Sequence, residues 1–411
     1  MNEPSRRKVT RRRVLQAGAG LAASEALASG AAGAEPLPVK KPNVYEALGI
    51  KPIINAVGTV TMFGGSVMPP EVVAAWAEAS KHFVDLVELQ DKVGARIAKL
   101  LGVEAACVTT GAAGALVLGT AAAITRGDKR LMGKLPNTTG TRNEVILQKT
   151  HHSCYDNQIT GVGATLVEVE TAADVAKAVS ERTALMFFMN TATDAGKLGR
   201  EEWVKLARAH KIPTLIDAAA DVPPVSRIAE YAKMGYDLIA LSGGKAMRGP
   251  NDTGLLLGRA ELIGAAKLNA NPHCGTIGRP LKVGKEGMIA LLAAVERFVR
   301  LDDATEKKEF ERRIGVIEKA VKAVPTVECE RITPAIANHV PHLQIAWDEK
   351  TVKFTREKVT RELADGTPSI RVGRVSGTGD KGILISVLTL QEGEEQIVAA
   401  RIAEILKRAA S

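Results

Sequence analysis

From residue 70 onward, the chain alternates short apolar runs with amphipathic stretches. The stretches carry apolar residues at i, i+3 and i+4, as helices do, and the runs have the length of buried strands. Seven strands are predicted, at Ala105–Thr109, Glu144–Gln148, Thr165–Val169, Ala184–Met189, Thr214–Asp217, Asp237–Leu241 and Gly254–Gly258. The predicted helices include Glu71–Lys81, Gln90–Leu101, Ala113–Ile124 and Glu201–His210. This alternation predicts an α/β domain with a mainly parallel sheet.

The pattern changes at about residue 290, where long charged helices begin. The segments predicted there are helices at Glu286–Val299 and Thr305–Val324, strand-like pairs on either side of a further helix, and a terminal helix at Glu394–Ala410. We expect a large domain at 70–290 and a smaller α+β domain at 291–411. The segment 35–69 is expected to pack on the smaller domain, and residues 1–34 are a leader.

Composition narrows the class of protein. Of the 411 residues, 45% are hydrophobic and 25% charged, which matches soluble globular proteins and excludes disordered, collagen-like and coiled-coil classes. Aromatic residues make up only 3%, so no stacking platform for single-stranded nucleic acid is indicated. The formal net charge is +9, but six Lys and Arg against two Glu lie in the first 34 residues. We therefore expect no nucleic-acid partner for the rest of the chain.

The first 34 residues have the three parts of an export signal in the correct order. Thr10–Gln16 resembles the twin-arginine motif S/T-R-R-x-F-L-K, a small-residue apolar stretch follows, and Ala32–Ala34 has the pattern of a cleavage site. The sequence predicts recognition by the twin-arginine export machinery, cleavage after Ala34 and a periplasmic location. The alternative is a basic tail that binds polyanions.

Three features with chemical potential follow predicted strands. The turn Thr109–Gly114 opens a helix with small residues, which leaves backbone N–H groups free to hold an anion. Asp217 ends a buried strand, and Lys245 follows a strand within a Gly-rich turn. Each has an ordinary alternative: tight helix packing for the turn, a helix cap for Asp217 and a solvated lysine for Lys245.

Together the three features meet the needs of one cofactor, pyridoxal 5′-phosphate. It requires a lysine for a Schiff base, an acid that keeps its pyridine nitrogen protonated, and a cradle for its phosphate. Two further residues are candidates for the same site, because Ser242 can hydrogen-bond the phosphate and His151 can stack on the ring or move protons. His152 is a weaker candidate than His151.

At this point the chain resembles a known family, from about Ile53 to Leu390. The segments that carry the resemblance are Ile54–Thr59, Phe83–Leu86, Val108–Ala113, Gln148–Asp156, Ser242–Lys245 with Gly249 and Pro250, Lys282–Met288 and Pro368–Ile370. They resemble the selenocysteine synthase-like enzymes, near their D-glucosaminate-6-phosphate ammonia-lyase-like branch, within fold type I (the aspartate aminotransferase superfamily).

The resemblance implies a role for each candidate residue. Lys245 would bind the cofactor covalently, Asp217 would pair with its pyridinium, and Gly111, Ala112 and Ala113 would hold its phosphate. It also implies a homodimer or a larger homo-oligomer with sites near the subunit interface.

The expected reaction is α-proton abstraction followed by β-elimination or β-replacement on an anionic amino acid or amino sugar acid. Guanidinium geometry suits the substrate carboxylate, and the candidates for it are Arg279, Arg371 and Arg374. The alternatives are L-seryl-tRNA(Sec) selenium transferase and, in another class, an exported binding protein without catalysis. The cysteines show no metal-ligand spacing, so we expect no metal and mostly buried thiols at Cys107, Cys154, Cys274 and Cys329.

Overall fold

The computed structural model describes residues 43–374 and 382–410. Pro52–Ser411 forms one compact unit, and the described residues before it belong to a separate one. In that separate unit a single 3-10 turn, Glu46–Leu48, ends at Gly49, whose φ is +74°. The leader, its twin-arginine motif and the cleavage position after Ala34 lie outside the described residues. Within the described ranges, no helix combines the length and the apolar character needed to cross a membrane.

A seven-stranded sheet forms the centre of the large unit. Its order is β2-β8-β7-β6-β5-β3-β4. The strands are β2 (Ala105–Thr109), β3 (Glu144–Gln148), β4 (Thr165–Val169), β5 (Thr183–Met189), β6 (Thr214–Asp217), β7 (Leu238–Ser242) and β8 (Gly254–Gly258). Only β8 runs antiparallel to its neighbours. The structure confirms the predicted α/β fold and all seven strands, whose bounds shift by one residue at most.

Helices cover both faces of this sheet, and this explains why its strands are nearly continuous apolar runs. In β3, Val145 and Leu147 belong to one apolar cluster, whereas Ile146 between them belongs to the cluster on the other face. The helices up to residue 298 are α1 (Pro70–Ala79), α2 (Leu86–Leu101), α3 (Gly111–Thr125), α4 (Lys129–Met132), α5 (Asp156–Thr160), α6 (Ala172–Ala178), α7 (Arg200–Ala209), α8 (Ser226–Met234), α9 (Ala260–Asn269) and α10 (Lys285–Phe298).

A third apolar cluster is built mainly from the last hundred residues. Its elements are α11 (Asp303–Val321), β9 (Glu328–Ile332), β10 (His342–Ala346), α12 (Arg356–Asp365), β11 (Ser369–Val372), β12 (Ile383–Ser386) and α13 (Glu394–Ala410). Strands β12, β10 and β9 form an antiparallel sheet. The early strand β1 (Ile53–Ala56) pairs in parallel with β11 and adds Ile54 and Ala56 to this cluster. The domain boundaries expected at residues 35, 70 and 291 stay predictions.

The strand directions bring the candidate residues to one edge of the large sheet. Strands β2, β3, β6 and β7 run the same way, so their carboxyl ends, with the segments that follow them, meet at that edge. Strand β8 begins there, and Gly254 packs so closely that an added Cβ would overlap the backbone of Gly111. Close backbone contact between β8 and the start of α3 thus fixes the turn at Gly111.

We expect Gly254→Ala to destabilise the fold by roughly 1–3 kcal/mol, because the new methyl group pushes the Gly111 turn away from the sheet. The matched control is Gly264→Ala in α9, where an added Cβ meets nothing within 4 Å. That variant should gain roughly 0.5–1 kcal/mol, since alanine favours a helix over glycine. Urea denaturation measures both. Equal stability of the two variants would contradict the packing argument.

Candidate active site

The turn between β2 and α3 forms an anion cradle. Gly111 has φ of +64°, in the left-handed region that glycine favours. The first helical hydrogen bond runs from the Gly114 N–H to the Thr110 carbonyl at 3.0 Å, so the N–H groups of Gly111, Ala112 and Ala113 have no carbonyl within the helix. The Thr110 hydroxyl is buried and has no hydrogen-bond partner among the described residues. A phosphate here would meet these unpaired donors and the positive end of the α3 dipole.

Asp217 ends β6 at the same edge and is only 6% exposed. Its Oδ1 accepts a hydrogen bond from the Ala219 N–H at 3.0 Å. Burial raises the pKa of Asp217 from 3.8 to about 6, against the lowering effects of that hydrogen bond and of the Lys245 charge. A nearby cation stabilises the charged form of such a poorly solvated carboxylate, and a protonated pyridine nitrogen is a cation of this kind.

Lys245 stands in a turn that two strands hold in place. The Gly243 N–H donates to the Thr253 carbonyl at 2.9 Å, and the Ser66 hydroxyl donates to the Gly244 carbonyl at 2.9 Å. An added Cβ at Gly244 would clash with the Asn251 backbone, so the Gly-rich sequence is a steric requirement of the turn.

Burial lowers the pKa of Lys245, whereas the charges of Asp217 and Asp221 oppose this shift. The structure therefore brings a desolvated amine and a desolvated carboxylate into one site, as the sequence predicts. Ser242, the last residue of β7, is half-buried, and its N–H donates to the Ala219 carbonyl at 3.3 Å. This bond connects the lysine turn to the segment that begins at Asp217.

His151 lies at the carboxyl end of β3, after Gln148, and packs into the interior. Its side chain is fully buried, and its ring packs edge-on against Phe188 at a centroid distance of 4.5 Å. The Met189 N–H donates to Nδ1 at 3.2 Å, and Nε2 lies 3.1 Å from Nε2 of Gln148. Burial lowers the pKa of His151 to about 4, so the ring is neutral. These contacts pack His151 against β5, and its stacking on the cofactor ring and its part in proton transfer stay predictions.

His152 faces solvent, where its ring pairs with Asp156 at 2.5 Å and with Glu168 at 3.2 Å. These carboxylates raise the pKa of His152, the hydrogen bond to Asp156 most of all. His152 therefore belongs to a surface ion-pair cluster.

Tyr155 is a neighbour of the site that the sequence reasoning did not single out. It is 43% exposed, and its pKa is raised by burial and, to a smaller extent, by the charges of Cys154 and Asp217. It therefore stands within electrostatic reach of Asp217. The sequence offered one indication of it: Tyr155, one of only four tyrosines in the chain, lies in the same segment as His151, directly after a predicted strand.

A second missed residue is Asp221, four positions after Asp217. Its Oδ2 accepts from the Tyr231 hydroxyl at 2.9 Å and from the Asn190 amide. Its Oδ1 is buried without a hydrogen-bond partner in the part of the chain that the structure describes. Burial raises the pKa of Asp221. A buried acid of this kind increases the negative potential around Lys245, and no local pattern in the sequence distinguishes it from a solvated loop residue.

The structure distinguishes the three candidate arginines. Arg279 and Arg374 are exposed. Arg371 lies in β11 opposite Asn55, is half-buried, and its Nε is buried without a partner among the described residues. An unsatisfied guanidinium N–H is a donor that a carboxylate would satisfy, so Arg371 is the best placed of the three on this criterion.

The expectation of mostly buried cysteines is wrong for two of the four thiols. Cys107 is buried and Cys329 half-buried, but Cys154 and Cys274 are exposed. Both exposed thiols lie in loops, whose burial depends on contacts that are distant in sequence. Among residues 43–374 and 382–410, no group of His, Cys, Asp and Glu side chains is arranged to hold a metal ion.

The donor set fits pyridoxal 5′-phosphate. The α3 cradle has unpaired donors for a phosphate, Asp217 needs a cation, and Lys245 is an amine whose pKa is lowered. Comparison with known proteins agrees. The aminotransferase class-V family model matches residues 133–274, a range that includes Asp217, Ser242 and Lys245.

Relatives cover nearly the whole chain. D-glucosaminate-6-phosphate ammonia lyase of Salmonella typhimurium is 27% identical over 90% of this chain and 99% of its own. 5′-C-glycyluridine monooxygenase-decarboxylase of a Streptomyces species is also 27% identical, over 79% and 83% of the two chains. L-seryl-tRNA(Sec) selenium transferase of Caldanaerobacter subterraneus is 24% identical, over 87% and 83%.

The solved structure of a D-glucosaminate-6-phosphate ammonia-lyase superposes on this chain with a TM-score of 0.79 at 27% identity, covering 90% of this chain and all of that one. Serine palmitoyltransferase of Sphingomonas wittichii, at 13% identity, covers 87% of both chains with a TM-score of 0.53 and shares the fold. The chain is therefore a pyridoxal-phosphate-dependent enzyme of fold type I that is similar to D-glucosaminate-6-phosphate ammonia lyase and to L-seryl-tRNA(Sec) selenium transferases.

Proposed function

We propose that this enzyme abstracts the α-proton of an anionic amino acid or amino sugar acid and eliminates or replaces the β-substituent, as an ammonia lyase does. The observation that carries the proposal is geometric: the half-buried Lys245 in the turn after β7, the buried Asp217 at the end of β6 and the anion cradle lie at the same edge of the sheet. The similarity to an ammonia lyase that acts on an amino sugar acid supports this reaction class.

Each part of the cofactor has a holder in this chain. The N–H groups of Gly111 to Ala113, with the Thr110 hydroxyl, would hold the phosphate, and Ser242 lies at the same edge. Asp217 would hold the pyridine nitrogen, and Lys245 the reactive carbon. When bound, pyridoxal phosphate withdraws the electron pair that remains at the α-carbon after the proton leaves.

Lys245 is the proton acceptor in this proposal. An ammonium group cannot accept a proton, so a lysine base must have its pKa lowered towards neutrality, and burial shifts Lys245 in that direction. The charges of Asp217 and Asp221 attract the proton that Nζ takes up. Lys245 can therefore take a proton from the α-carbon and return it to a leaving group on the same side.

Arg371 would bind the substrate carboxylate. Its unsatisfied Nε and its planar group suit a bidentate contact, and its backbone is fixed by the pairing of β11 with β1. A substrate held at its carboxylate exposes the same face of the α-carbon to the base in every turnover.

L-seryl-tRNA(Sec) selenium transferase is the second candidate function, because three relatives of that name match 62–90% of this chain. A turnover screen separates the two candidates: the first predicts product from free amino acids or amino sugar acids, and the second only from a seryl-tRNA. An exported binding protein without catalysis predicts product from neither.

A homodimer is also part of the proposal. Several large apolar side chains between residues 60 and 87 face solvent, namely Met62 (88% exposed), Val67, Trp76, Phe83 (102% exposed), Val84 and Val87. Such a concentration of exposed apolar surface is typical of a covered interface. A second copy of the chain is the partner expected from the family resemblance.

Export of the enzyme by the twin-arginine route also belongs to the proposal, since this route carries proteins folded around a cofactor. We expect the double variant Arg11→Lys/Arg12→Lys to stay in the cytoplasm, whereas the control Arg6→Lys/Arg7→Lys is exported and cleaved after Ala34. Cell fractionation and mass spectrometry of the mature N-terminus measure both. The same distribution for the two variants would reject the signal.

Replacement of the lysine tests the central claim. Lys245→Ala should lose the absorbance band that borohydride shifts and lower turnover at least about 100-fold, because it removes both the covalent attachment and the base. The control Lys99→Ala changes an exposed lysine on α2 and should keep both properties. Undiminished turnover of Lys245→Ala would overturn the proposal. So would a wild-type protein that holds no cofactor after incubation with it.

Asp217→Asn should weaken cofactor retention and turnover, because an amide does not balance a pyridinium charge. In the cofactor-free protein, by contrast, the same substitution should stabilise the fold at neutral pH. The pKa of Asp217 is raised from 3.8 to about 6, so the ionisation of this buried group costs stability above pH 6 and nothing below pH 3.8. The cost is about 3 kcal/mol at most.

In urea denaturation, the stability of Asp217→Asn relative to the wild-type protein should therefore rise between pH 4 and pH 7. The control Asp252→Asn removes an exposed carboxylate and should show no such rise. A flat difference for Asp217→Asn would show that Asp217 is solvated in the folded state.

A further inference from the structure

A concave basic pocket lies at the edge of the large sheet opposite the active site. Its volume is about 350 Å³, and its lining includes four cations and one carboxylate, namely Arg126, Arg208, Lys211, Arg259 and Asp237, with Thr214 and Gly235 between them. Thr214 begins β6 and Asp217 ends it, so the strand separates this pocket from the active site by about 10 Å.

The cations of this basic pocket are exposed and stand at or beside helix ends. Arg126 caps α3 with φ of +49°, and its Nε donates to the Ala123 carbonyl at 3.0 Å. Lys211 follows α7 with φ of +57°. The Arg208 guanidinium lies against Gly235, where an added Cβ would clash with it.

Two acids partly neutralise these cations: Asp237 in the lining and Glu261 just outside it both form ion pairs with Arg259. Asp237 binds Arg259 through Oδ1 at 2.9 Å, and its Oδ2 accepts from Thr214, from the N–H at 2.8 Å and from the hydroxyl at 3.1 Å. Arg126, Arg208 and Lys211 form no ion pair with any other described residue. Burial lowers the pKa of Arg126; the charges of Glu261 and Asp237 oppose this shift, and those of Arg142 and Arg259 add to it.

Helix ends alone do not account for this concentration of charge. The carboxyl ends of α3, α7 and α8 lie at the pocket, and basic side chains commonly balance such ends. Each end contributes about half a negative charge. The four cations exceed the acids Asp237 and Glu261 by two, and the three helix ends offset about 1.5 of these charges, so a small net positive potential remains inside a concave surface.

We propose that this basic pocket binds a small molecule that carries a phosphate group, at a site separate from the cofactor. The forked donors of Arg126 and Arg208 match phosphate oxygens, and Lys211 adds a point charge. The volume is within the range of ligand sites and leaves room for a small organic group beside the phosphate. The same chemistry would also accept the headgroup of an anionic phospholipid.

Calorimetric titration of the full-length, cofactor-loaded enzyme with inorganic pyrophosphate tests the proposal, because the bound cofactor already fills the α3 cradle. The wild-type enzyme should bind one pyrophosphate per chain. The double variant Arg208→Gln/Lys211→Gln should bind at least tenfold more weakly. The control Lys205→Gln/Lys233→Gln removes two exposed charges from α7 and α8 outside the pocket lining and should bind as the wild type does.

Equal weakening in both double variants would show a general charge effect and overturn the proposal, as would the absence of binding to the wild type. A second readout is the thermal shift that pyrophosphate causes relative to the unliganded form of the same variant, and it should be smaller in Arg126→Gln than in the wild type. Sedimentation with phosphatidylglycerol vesicles identifies the source of the phosphate. Vesicle binding lost only in Arg208→Gln/Lys211→Gln indicates a lipid headgroup, and its absence together with pyrophosphate binding indicates a free small molecule.

Discussion

The pairing of β6 with β7 is the constraint on which the rest of the site depends. Its parallel register places Asp217 opposite Ala240, so the acid and the turn that holds Lys245 follow neighbouring strands at one edge. Both groups then lie in a medium that solvates charge poorly, and their pKa values move in opposite directions. A slip of one residue in β6 would turn the Asp217 side chain to the other face of the sheet. The strand register therefore decides whether Asp217 and Lys245 share one site at all.

The sequence predicts the sheet well because both of its faces are covered. Two-sided burial makes each strand an apolar run with polar residues at its ends, and this signal is local. The candidates that end such runs, Asp217 and Lys245, were predicted for the same reason. Tyr155 and Asp221 were not, because the charge of Asp217 that Tyr155 senses and the Tyr231 hydroxyl that Asp221 accepts from come near them only in the folded chain. His151 was predicted as a candidate, but its packing against Phe188 was not. Arg371 likewise becomes distinct only once β1 pairs with β11.

The two edges of the sheet differ in the sign of the helix dipole that they present to a ligand. At the carboxyl edge, helix α3 begins and offers N–H donors, and a small set of donors is enough for an anion there. At the other edge, helices end with partial negative charge, and basic side chains balance part of it. An anion there could be held only by cations beyond those that balance the helix ends. This difference explains why the cradle at Gly111 is made of small residues, whereas the basic pocket needs arginine and lysine.

The antiparallel strand β8 has a mechanical consequence for the lysine turn. Because β8 returns directly beside β7, with Ser242 opposite Gly254, Lys245 stands inside a hairpin loop closed by both strands. Thr253 and Gly243 connect the two sides of that loop through the 2.9 Å hydrogen bond at its base. A loop anchored in this way behaves as a fixed platform and not as a moving lid. Any opening that admits a substrate would then come from the elements around the platform, while the backbone that carries Lys245 stays in place.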